Sequence, residues 1–140
     1  MKDKVFLDTN IFIYLYDDAS PVKKQKSKEL IQEGLDEYHA FISYQVVQEF
    51  INVSTKKFEN PLSPDDCKLF LNSVMMPLWR VFPSEELFNS AIDISGRYQY
   101  SFYDSLIIAA AVELNATILY SEDLQHGQKI DELTIINPFK

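Results

Sequence analysis

Short apolar runs alternate along this chain with longer segments whose hydrophobic residues recur at helical spacing. The runs "KVFLD", "AFIS", "WRVF", "ATILYS" and "LTIIN" predict short strands. Between them, "NIFIYLY" reads as a first helix or helical turn, and "YQVVQEFINVSTKKF" as a long helix. Ser20 as N-cap, Pro21 at the first helical position and Gly34 past the end delimit a helix over "SPVKKQKSKELIQEG". The Ser-Pro device returns in "SPDDCKLFLNSV", after the break "NPLSP", with Asp65 and Asp66 in the first turn. "SEELFNSAIDISGRY" reads as another capped helix. "YDSLIIAAAVELN" is so apolar that, as a helix, it must be buried on nearly all sides. Short apolar strands alternating with helices imply an α/β fold with a parallel sheet covered on both faces. In such sheets ligand sites gather outside the carboxyl ends of the strands.

Composition narrows the chemistry. The 140 residues, 46% hydrophobic and 14% aromatic, suit a single packed domain over residues 1–140. One cysteine, Cys67, permits no internal disulfide, and with only two histidines a nitrogen- and sulfur-ligated zinc site is nearly excluded. A bound metal would have to be held by oxygen. No apolar run approaches membrane-spanning length, and "MKDKVFLDTN" meets an acid too early for a secretory signal, so a cytoplasmic protein is expected. The net charge of -8 argues against broad electrostatic adhesion to nucleic acid, though acids gathered at one site would lose much of their repulsion to divalent cations.

The acids at the strand ends then become informative. Asp8-Thr9-Asn10 separates two apolar runs where the first strand turns into a helix. One N-cap would need one such residue, and three are present. Glu49 falls beside Val46 and Val53 at about 100° per residue, on the apolar side of its helix, where a boundary glutamate with a packed stem is the plain alternative. Asp104 enters the most hydrophobic helix, either as a cap or as a half-buried carboxylate needing a donor or a cation. Ser121, Glu122 and Asp123 follow the strand "ATILY" directly, and a solvated acidic turn is the alternative there. His126 would touch a substrate or simply be exposed, and Gly127 allows an unusual turn. Carboxylates converging in one cleft repel unless protonated or bound to cations, and hard ions such as Mg²⁺ and Mn²⁺ prefer such oxygen ligands.

In "FLDTNIFIYL", the glutamate of "VVQEFINV", "YDSLIIAAA" and "LYSEDLQHG", the chain resembles the PIN-domain ribonucleases, particularly the toxin-like, VapC-type branch of prokaryotic toxin–antitoxin pairs. The resemblance spans nearly the whole chain. It implies a three-layer α/β/α fold with a central parallel sheet and an acidic pocket at the strand ends. It also implies Asp8, Glu49, Asp104 and Asp123 as catalytic acids, of which Asp8, Asp104 and Asp123 would bind Mg²⁺ or Mn²⁺. Glu122 competes with Asp123 for the fourth position, and Thr9, Asn10 and Ser121 match supporting polar residues. The implied activity is metal-dependent hydrolysis of RNA phosphodiesters. An antitoxin protein and a second copy of the chain are the implied partners.

Other readings compete. A haloacid-dehalogenase-type phosphatase would want an acid where Asn10 stands, and a receiver domain would want a late lysine that has no clear match. A catalytically silent PIN-like binding scaffold is the serious alternative, although all the candidate acids are present. The aromatics of "RYQYSFYD" offer base stacking, a partner contact or core packing.

Overall fold

The computed structural model describes residues 3–140. Strand β1 (Val5–Leu7) is followed by helix α1 (Thr9–Ile13), a 3₁₀ turn (Tyr14–Tyr16), α2 (Pro21–Glu37), β2 (Ala40–Ser43) and α3 (Tyr44–Lys56). Next come α4 (Pro64–Phe70), a π-helical segment (Leu71–Met75), the short α5 (Met76–Leu78) and β3 (Trp79–Val81). The long helices α6 (Glu85–Tyr98) and α7 (Phe102–Glu113) then precede β4 (Ile118–Tyr120), β5 (Lys129–Ile130) and β6 (Leu133–Ile136).

The strands form one six-stranded sheet in the order β3-β2-β1-β4-β6-β5. Every pairing is parallel except β5 with β6, which is a hairpin-like antiparallel edge. Helices flank this sheet, as the alternation of elements predicts. β1 lies inside it and is wholly buried, because its side chains meet core on both faces. The apolar helix α7 is buried continuously from Ser105 to Ala111, and its three consecutive alanines let neighbouring backbones come close. Much of the aromatic content sits in one cluster where Phe50 of α3 stacks on Phe70 of α4 at 4.7 Å, with Phe12 and Tyr16 against both. This cluster holds the first helical turns onto α3 and α4.

Several local expectations change in the folded chain. Gly34 does not end its helix: α2 continues to Glu37 and stops at Tyr38, which takes the left-handed conformation at φ 55. Gly34 is needed for a different reason, since a Cβ there would lie 2.3 Å from Ala40 Cβ on β2. Ser20 occupies the N-cap position of α2, but its hydroxyl makes no capping bond. Ser63 and Ser84 do cap their helices, accepting from the Asp66 and Leu87 amides. Asp104 is not the cap of α7. Ser101 is, and it accepts from the Asp104 amide at 3.1 Å. Strand β5 was not predicted, because two residues after a glycine turn carry no periodic signal. Gly127 supplies that turn at φ 86, as expected.

Replacing Gly34 with alanine tests the close approach of α2 to β2. Helix propensity alone would favour alanine by about 1 kcal/mol. The steric conflict should outweigh it, leaving the variant about 1–3 kcal/mol less stable in urea titrations.

Candidate active site

β1 and β4 are parallel neighbours at the point where the chain leaves the sheet in opposite directions, to β2 on one side and to β6 on the other. Such a switch point opens a crevice beyond the carboxyl ends of the strands. Leu7 pairs with Tyr120 in register, so the next residue of each strand, Asp8 and Ser121, emerge side by side. The crevice there is a cleft of about 270 Å³ lined by Asp8, Thr9, Asn10, Glu49, Asp104 and Asp123, together with Gln45, Asn52 and Lys57.

Asp8 is the N-cap of α1 and is only 9% exposed. Its Oδ1 accepts from the Thr9 amide at 2.7 Å and its Oδ2 from the hydroxyl of the fully buried Ser121 at 2.8 Å. Thr9 donates its own hydroxyl to Glu49 Oε2 at 2.7 Å, which draws the α3 glutamate toward the β1 end. Gln45 stands one turn before Glu49 and gives its amide both to Glu49 Oε1 and to the Tyr103 carbonyl, each at 3.0 Å. That one side chain therefore couples α3 to the first turn of α7, where Asp104 follows. Asn10 donates to Asp123 Oδ2 at 2.8 Å, tying the loop after β4 to α1.

Burial is the largest influence on Asp8, and it disfavours the charged form. The bonds from Ser121 and Thr9 oppose that effect, while the nearby charges of Glu49 and Asp123 add to it. Together they push its pKa from the usual 3.8 up to about 6. An acid held in this way is costly to ionise, chiefly through burial, and a cation beside it would relieve that cost.

The four acids aligned through the family resemblance, Asp8, Glu49, Asp104 and Asp123, all line this cleft, as do Thr9 and Asn10. Ser121 stands behind it, bonded to Asp8. Adjacent residues of the last acidic turn diverge. Asp123 faces the cleft, whereas Glu122 pairs with Lys23 at 2.5 Å and accepts from the Tyr14 hydroxyl, outside it. His126 also lies outside, its Nδ1 accepting from the Asn137 amide at 2.9 Å within the loop. Gln45, Asn52 and Lys57 were not anticipated. Gln45 had a readable signal, because it precedes Glu49 by four residues and so shares its face. In the aromatic segment, Tyr100 bonds Gln128 and the Gln125 amide, while Phe102 and Tyr103 keep exposed rings.

Residues 5–131 match the PIN domain family. This chain belongs to the PIN domain family. No curated protein matches its sequence. Among solved structures, a toxin–antitoxin complex from Klebsiella pneumoniae aligns with 96% of this PIN chain and 98% of its own at a TM-score of 0.68 and 15% identity. VapBC2 from Rickettsia felis, bound to a DNA fragment from its promoter, aligns with 94% of this chain and 96% of its own at a TM-score of 0.65 and 16% identity. VapC20 from Mycobacterium tuberculosis, a sarcin-ricin loop cleaving toxin, aligns with 86% and 90% respectively at a TM-score of 0.61 and 17% identity. These likenesses are of fold.

The donor set of this PIN cleft suits a hard divalent cation. Its potential ligands are carboxylate and amide oxygens, with no thiol or imidazole in the lining. The Asp104 carboxylate has no hydrogen-bond or ion-pair partner among the described residues, and Asp8 is destabilised in its charged form. The tightest trio of ligand atoms among the described residues lies elsewhere, in Glu33, Glu37 and His39, within 4.8 Å of one another at the opposite end of the sheet.

The raised Asp8 pKa has a definite thermodynamic sign. Between the usual 3.8 and about 6 the folded protein binds a proton that the unfolded chain has released, so Asp8 makes stability fall as pH rises through that window. Above it, the ionised Asp8 costs on the order of 1–3 kcal/mol in metal-free protein. Asp8→Asn should therefore be more stable than wild type at pH 8 in EDTA and lose that advantage by pH 4. Paired urea titrations at the two pH values check this.

Proposed function

We propose that this protein is a metal-dependent endoribonuclease, hydrolysing RNA phosphodiester bonds, and that it acts as the toxin of a toxin–antitoxin pair in the cytoplasm. The observation that carries the reading is the convergence of Asp8, Glu49, Asp104 and Asp123 on one cleft at the sheet's switch point. Family membership over residues 5–131 supports nuclease chemistry for that cleft. The toxin–antitoxin complexes among the structural neighbours support an antitoxin as partner, and a homodimer is the assembly that the family resemblance implies.

Asp8, Asp104 and Asp123 would hold Mg²⁺ or Mn²⁺. When bound, such an ion supplies Lewis acidity, which acidifies water and stabilises negative charge on phosphoryl oxygens. The chain's own contribution is orientation and proton handling. Ser121 and the Thr9 amide fix both oxygens of Asp8, so its carboxylate enters the cleft in one rotamer. Asn10 holds one oxygen of Asp123, Oδ2. Glu49 is held by Thr9 and Gln45 with its carboxylate on the cleft wall, where it accepts a proton from the attacking water. The lining holds no serine or cysteine, and its one hydroxyl, that of Thr9, is buried and engaged with Glu49, so a direct attack by water is favoured over a covalent enzyme intermediate.

The decisive experiment is cleavage of end-labelled single-stranded RNA with Mg²⁺ or Mn²⁺ against EDTA. Wild type should cleave only with metal, and Asp8→Asn and Asp104→Asn should abolish cleavage while still melting cooperatively. Ser121→Ala, which removes an orienting bond and no ligand, should lower activity by about 10–100-fold. Equal cleavage by wild type and Asp8→Asn would overturn the site. No cleavage by wild type on any RNA would return the protein to a binding scaffold.

A further inference from the structure

The acid cleft does not end at its carboxylates. Ile13, Val53 and Lys57 line it, and the same three side chains line a second cleft of about 560 Å³. The two therefore run together over one shared wall. The larger cleft has an aromatic side, where Tyr16 packs on Phe58 at 5.5 Å and remains 40% exposed. Two of its acids are already engaged. Asp18 pairs with Lys24 at 2.6 Å, and Asp17 Oδ1 accepts from the Ala19 amide at 3.0 Å. Glu59 lines this cleft as well, so it is no broad basic channel.

Lys57 stands apart from that pattern. It is the cation in the lining of the acid cleft, yet among the described residues its ammonium has no hydrogen bond and no ion pair. A lysine beside four carboxylates would ordinarily be drawn onto one of them. Three of the carboxylates are engaged by Thr9, Ser121, Gln45 and Asn10, and among the described residues Lys57 forms no ion pair with the fourth, Asp104, so the ammonium is open to an anion from outside. A chain of net charge -8 offers RNA few such points, and this one lies on the path between the two clefts.

We propose that Lys57 binds the phosphate adjacent to the scissile one, and that the RNA strand passes over it from the acid cleft into the larger cleft, where the neighbouring base lies against Tyr16. This rests on the ribonuclease reading above and assigns its substrate path. Lys57 is then a positioning residue, since it touches a phosphate that does not react. A bare dinucleotide carries only the scissile phosphate and cannot use it. A longer strand gains both the ion pair and an aromatic surface suited to any base.

Steady-state cleavage with Mn²⁺ at varied KCl, using a hexanucleotide and a dinucleoside monophosphate, tests this against Lys57→Ala, Lys57→Arg and Lys56→Ala. On the hexanucleotide, Lys57→Ala should raise KM roughly tenfold with kcat changed less than about twofold. It should also flatten the dependence of log KM on log salt by about 0.7, the share of one phosphate on a single strand. Lys57→Arg should restore both, Lys56→Ala should match wild type, and on the dinucleoside all four proteins should agree. An active wild type whose Lys57→Ala variant is unchanged on the hexanucleotide overturns the assignment and leaves the larger cleft to a protein segment. Equal losses on both substrates also overturn it, by moving Lys57 to the reacting centre. A wild type that cleaves long RNA with Mn²⁺ but neither short substrate overturns the path as assigned, and one that cleaves no RNA overturns the ribonuclease reading with it.

Discussion

A carboxylate buried at the end of a central strand is the constraint on which this molecule turns. Asp8 leaves β1 with almost no access to water, and it is tolerated because β4 delivers the Ser121 hydroxyl to it in register. The Thr9 amide completes the arrangement at the start of α1. Two hydrogen bonds soften the cost of desolvation without cancelling it, so the carboxyl titrates near pH 6 rather than near 4. The parallel pairing of β1 with β4 is thus both the centre of the fold and the reason the cleft holds a high-energy acid.

From that point the cleft is assembled by short polar links rather than by packing alone. Thr9 reaches Glu49 on α3, Gln45 carries α3 to α7, and Asn10 closes the loop after β4. Each link draws one acid-bearing element toward Asp8, against the repulsion that four carboxylates would exert. The hydrophobic contribution lies one layer behind, where the cluster of Phe12, Phe50, Phe70 and Tyr16 holds the helices at the distance these bonds need. The neighbours Glu122 and Asp123 divide their tasks in consequence. One anchors the turn to Lys23 and Tyr14, and the other faces the cleft.

Much of this was legible in the residues themselves. Apolar runs of strand length separated by capped helices were enough for an α/β sheet, and acids just beyond the runs marked its carboxyl ends. Short segments without periodicity were not legible, as with β5, and neither were helix ends that depend on a neighbour. Gly34 has the sequence look of a terminator, yet α2 runs past it because the helix needs room against Ala40 and the left-handed Tyr38 is able to end the helix later.

The sequence by itself determined the longer elements and which residue types stand near the strand ends, because burial periodicity and capping are local and each acid's type is given outright. Only the tertiary structure decided where those side chains point and what they meet. In "SEDLQHG" Glu122 and Asp123 stand two and three residues past the same strand, so position along the chain does not settle which of them faces the cleft. The choice depends on Lys23 and Asn10, which are remote in the chain and adjacent only after folding. The places of Gln45 and Lys57 in the cleft lining were set in the same way, by the convergence of α1, α3 and α7 on one strand end.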